Sequence, residues 1–114
     1  MGKKRGFANA ADRVAEMEAL LDDVNRSMDE LDAALKGYCE VQKKIKKLEE
    51  YYTCGLWLKD FETDEAGGLP AGLKRGVLSE DAIGDVLDRN GELAEALRDT
   101  AEALRKERGG TEDR

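Results

Sequence analysis

Asp60, Glu62, Asp64 and Glu65 fall within six residues, and closely spaced carboxylates are the groups that hold calcium or magnesium and move protons in acid–base catalysis. A calcium loop beginning at Asp60 would need Gly at its sixth place and a bidentate Glu at its twelfth; Glu65 and Ala71 stand there instead, so that loop is excluded. A magnesium site assembled from carboxylates on two helices stays open, and with it metal-assisted phosphohydrolysis. The 114 residues include no His, which removes the usual general base near neutral pH and the commonest zinc ligand. Triads that depend on His and His-rich metal sites are excluded. Cys39 and Cys54 form no CxxC pair, and reduced structural thiols are expected of them.

Lys43, Lys44, Lys46 and Lys47 flank Ile45 in a local positive patch. Without interleaved Arg or aromatic residues this is a weak signal for phosphate or nucleic acid, and pairing with acidic residues of the same chain is the expected role. Glycines crowd residues 66–76, but no GKS, GKT or GxGxxG accompanies them, so they form no phosphate loop. Trp57, Tyr51 and Tyr52 could line an aromatic pocket, yet a single Trp in a small helical chain is expected in the core. An acidic line, Asp81, Asp85, Asp88, Glu92, Glu95, Asp99 and Glu102, recurs at steps of four and three. It reads as a solvated helix face, with docking of a basic partner as the sharper reading. Nineteen basic against 26 acidic residues leave a net charge of −7, so neither nucleic acid nor an anionic membrane is an expected partner. None of these patterns assigns a catalytic residue, a cofactor or a resident metal.

The elements that must position these groups are written in the apolar spacing. Val14, Met17, Leu21, Val24, Met28, Leu31, Leu35 and Tyr38 alternate steps of three and four, which places them on one stripe of a helix over about 9–36. Asn9 is the expected N-cap, with Asp12 and Glu16 near the positive end of the dipole. Around Gly37 the phase slips: Val41, Ile45, Leu48 and Tyr52 resume the stripe only after two successive steps of three. A continuous helix would overwind there, whereas a turn at Gly37–Glu40 resets the register, and the turn is the arrangement we expect. Helix 2 then covers about 41–61, folded back on helix 1, with Gly55 marking a kink. Residues 63–78 hold Pro70 and four glycines and read as a loop tethered by Leu69, Leu73, Val77 and Leu78. Ser79 is the expected cap of helix 3, about 79–107, which carries Ile83, Val86, Asn90, Leu93, Leu97, Thr100 and Leu104 at helical spacing. The turn dipeptide Asn90-Gly91 leaves a break there open, and Gly109-Gly110 should stop the helix. Flexible ends are expected over 1–8 and 109–114. No signal peptide or membrane span is read in the chain.

Tyr51-Tyr52, Gly55, Trp57, Asp60, Glu62, Asp64-Glu65, Gly67, Leu69-Pro70 and the run from Leu73 to Asp81 resemble a bacterial family known as domain of unknown function 4298. The resemblance covers about residues 10 to 105. It implies a small helical protein of the bacterial cytoplasm and supplies no activity, substrate or catalytic residue. Within the same stretch, the charges Asp60, Glu62, Asp64, Lys74 and Arg75 alternate with the apolar anchors Trp57, Leu69, Val77 and Leu78. Opposite charges at the two ends of a loop favour closure, so Lys74 and Arg75 are expected to clamp onto the acids at 60–65, with a ligand site as the competing reading.

The expected architecture is all-α, with three main helices: a long helical hairpin and a third helix joined to it by the Gly/Pro-containing loop, packed as in a coiled coil. Such a chain reads as a cytoplasmic, non-enzymatic interaction or scaffold module. The competing class is a magnesium-dependent phosphohydrolase with helix-borne carboxylates. The helix 1 stripe outruns one antiparallel partner of broken register, so a homodimer or a helical protein partner is expected.

Overall fold

A computed structural model describes residues 9–112. Three α-helices, α1 (Ala10–Thr53), α2 (Leu56–Glu65) and α3 (Ala82–Glu112), are joined after α2 by a loop that ends in a 3₁₀ turn, Gly76–Leu78. Among the described residues there is no strand, and the all-α class expected from the spacing is what forms. The chain divides into two compact units between Gln42 and Lys43, inside α1.

In the first unit α1 begins as the sequence implies. Asn9 caps it, its Oδ1 accepting the Asp12 N–H at 2.9 Å while its carbonyl accepts from Arg13 N at 3.0 Å. The expected turn at Gly37–Glu40 does not form, and α1 runs unbroken to Thr53. The energetics favour this outcome. Gly within a helix costs about 1 kcal/mol, whereas a break would strand roughly four N–H and four C=O groups from their helical partners. Residues 41–53 therefore continue α1, and the fold-back hairpin of helices 1 and 2 is not formed. The phase slip remains as a rotation: a step of three falls ~60° short of a full turn, so two in succession swing the apolar line around the rod.

In the second unit the punctuation falls at Gly55 instead. Its φ of 100° lies in the left-handed region, which ends α1 and starts α2. α2 then closes with a Schellman arrangement around Gly67 at φ 77°: Gly67 N donates to Asp64 O at 2.9 Å and Gly68 N to Thr63 O at 2.8 Å. The loop reaches the 3₁₀ turn, against which both α2 and α3 pack. Leu78 on that turn and Ile83 on the first turn of α3 are the buried hydrophobic residues among those described, 6% and 2% exposed. Within this unit α2 and α3 meet the turn rather than lying along one another, so coiled-coil packing between them is absent.

α3 starts later than expected, at Ala82, because the Ser79 hydroxyl turns back and donates to Gly76 O at 2.9 Å instead of capping. It passes through Asn90-Gly91 and through Gly109-Gly110 to Glu112. Glycine permits a left-handed stop without requiring one. Of the flexible ends expected over 1–8 and 109–114, residues 109–112 continue α3 instead, and 1–8 and 113–114 lie outside the described residues.

Candidate functional site

The residues singled out for the loop converge in the second unit. Left-handed Gly55 turns the chain so that Trp57 stands edge-on to Tyr52, ring centroids 5.5 Å apart at 71°, and stacks on Phe61 at 5.2 Å and 13°. The indole Nε1–H donates to Val77 O at 2.9 Å and so ties the 3₁₀ turn to α2. Trp57 is half-buried and braces this junction rather than filling a closed core.

Asp60 is met by a phenol and not by a cation: Tyr51 Oη donates to Asp60 Oδ2 at 2.7 Å. Partial burial of Tyr51, followed by that hydrogen bond and the neighbouring charges of Asp60 and Cys54, pushes its hydroxyl up to about 12. Each cause penalises the phenolate, which would lose solvent, lose the donated proton and face a carboxylate. No sequence periodicity signals this pair, because the two residues lie nine apart across a left-handed glycine.

Arg75 forms the second centre. Its Nη1 donates to Asp64 Oδ1, its Nη2 to Pro70 O, and its Nε to Leu73 O at 3.2 Å. One planar guanidinium thus gathers the C-terminal part of α2 and two points of the loop, which a point charge on Lys could not do. Glu62 and Lys74 are exposed, and neither makes a side-chain hydrogen bond or ion pair among the described residues.

The other chemical candidates stay apart. Among the described residues no group of three or more Asp, Glu or Cys gathers where a metal ion could be held. Cys39 and Cys54 are free and exposed, so they serve no core. Lys43, Lys44, Lys46 and Lys47 are exposed and make no direct ion pair among the described residues, contrary to the expected pairing within the chain. The acidic line is exposed, from Asp81 just before α3 to Glu102 within it, with Glu95 held by Arg98 at 2.6 Å.

The first unit offers a different kind of surface. Val14, Met17, Leu21, Val24, Met28, Leu31 and Leu35 remain between 38% and 59% exposed, and Leu20 beside them is 50% exposed. Arg13, Val14, Met17, Glu18 and Leu21 share one open patch of this face. Arg26 holds Asp23 at 2.9 Å away from this face, and Lys36 holds Asp32 at 3.2 Å along its edge. Among the described residues no helix is long and apolar enough to cross a membrane.

A family model described as domain of unknown function (DUF4298) matches residues 14–100. No curated protein and no solved structure matches the chain.

Proposed function

The chain belongs to the DUF4298 family, and from that premise we propose that it is a non-enzymatic protein-interaction or scaffold module of the bacterial cytoplasm, docking helical partners through α1. The observation that carries this reading is the uncovered apolar stripe from Val14 to Leu35. Contiguous apolar surface of this kind marks interaction sites in proteins that are otherwise charged. Covering one fully exposed aliphatic side chain is worth ~1.5–3 kcal/mol, so eight half-exposed ones offer roughly 6–12 kcal/mol. Association itself costs about 4–15 kcal/mol. The partner must therefore bring an apolar face of its own, which favours an amphipathic helix over a charged ligand.

In this reading the junction around Trp57, Asp60, Asp64 and Arg75 is structural: it holds the loop against α2 and the 3₁₀ turn. Glu62 and Lys74, left on the surface beside it, are the residues of that stretch available to a second molecule.

The test compares the full chain with a Leu21→Glu/Met28→Glu variant. Proteins retained from extract of the source cells by the wild type should be lost with the variant, while Trp57 fluorescence, which reports the second unit, stays unchanged. Retention of the same proteins by both, or turnover of nucleoside triphosphates with magnesium, would overturn the proposal.

A further inference from the structure

We propose that the partner of α1 is α1 of a second copy, paired parallel and in register as a two-stranded coiled coil that ends near Tyr38; this rests on the interaction-module reading above. The stripe keeps a seven-residue repeat in which a positions run from Val14 to Leu35 and d positions from Met17 to Tyr38. Every a position and the d positions up to Leu31 carry large apolar side chains that are still exposed. The surface left open is on the order of several hundred Å² per chain, comparable to the ~800 Å² per partner of a standard interface.

Charge selects the direction. In a parallel pair each g position faces the partner's e position five residues on. Arg13 then faces the partner's Glu18, Leu20 the partner's Asn25, Ser27 the partner's Asp32 and Ala34 the partner's Cys39. This gives two attractive pairs per dimer and no like-charge pair. An antiparallel pair with full overlap brings e positions together and sets Glu18 against the partner's Asp32, only partly offset by the Lys36 that each Asp32 holds. Asp22, Asp23, Asp29 and Glu30 stay on the outer positions in either case.

The end of the pairing is set by the same spacing. At Leu35, Tyr38 and Val41 two steps of three rotate the apolar line off the seam.

The experiment uses the full chain. Light scattering should give twice the 12.6 kDa of one chain. With Cys39 and Cys54 replaced by Ser, Leu31→Cys should cross-link to itself on mild oxidation at least ~5-fold more than Ala19→Cys on the outer face, because facing d positions lie within disulfide reach. Arg13→Glu should weaken the dimer about 5-fold and Arg13→Glu/Glu18→Arg should restore it, as expected for two exposed pairs. A trimeric mass, or cross-linking of Leu31→Cys only to Leu21→Cys, overturns the parallel dimer. A monomer that still retains another protein through α1 overturns the pairing and keeps the module reading. A monomer with no α1-dependent partner overturns both.

Discussion

Arg75 and Asp64 meet across the loop with side chains only 31% and 23% exposed, and the same guanidinium holds the carbonyls of Pro70 and Leu73. Partial burial is what gives the pair consequence. An exposed ion pair contributes ~0.2–1 kcal/mol, whereas one that is partly desolvated leaves an uncompensated charge when broken.

Arg75→Ala should therefore destabilise the second unit by about 2 kcal/mol, read from urea unfolding followed by Trp57 fluorescence. Arg75→Lys should recover less than half of that, since an ammonium cannot span three acceptors. A change below ~0.5 kcal/mol for Arg75→Ala would show that the contact does not hold the loop.

Two glycines should respond in opposite directions. Gly67 sits at φ 77°, so Gly67→Ala should cost ~1–2 kcal/mol. Gly37 lies within α1, and a Cβ added there meets nothing within 4 Å. Gly37→Ala should thus raise helicity and stabilise by ~0.5–1 kcal/mol. A destabilising Gly37→Ala would place a turn at 37–40 after all.

Alkaline pH should loosen the junction through Tyr51. Its hydroxyl is pushed up to about 12 in the folded chain, against ~10 for an unfolded Tyr. A raised pKa means that the neutral form is favoured by folding, so the stability linked to Tyr51 is full below pH ~10 and is lost as pH rises through 12. Ultraviolet titration should show a late phenol that Asp60→Asn moves toward the ordinary value and Tyr51→Phe removes. A native titration curve unchanged by Tyr51→Phe above pH ~11 would refute the Tyr51–Asp60 arrangement.

Periodicity made the helical class, the cap at Asn9 and the amphipathic stripe of α1 legible in the residues themselves, because each depends on neighbours three or four positions apart. Composition alone marked the loop between α2 and α3, and the charges at 60–65 and 74–75 pointed to contact across it. The choice among them was not readable. Arg75 reaches Asp64, Tyr51 takes Asp60, and Glu62 and Lys74 are left outward.

Local sequence could not decide which glycine breaks the chain. Gly37 and Gly55 both interrupt an apolar pattern, and they differ in the contacts that a turn at each position makes possible. Beyond Gly55 the turn is rewarded by Trp57 against Tyr52, by Tyr51 on Asp60 and by the indole bond to Val77. At Gly37 the chain simply keeps its helical hydrogen bonds. Residue types and their spacing determined that this protein is made of amphipathic helices and left a greasy seam on the first of them. Where the chain turns, and which charges meet, was decided only by contacts between residues far apart in sequence, whose energies no local pattern contains.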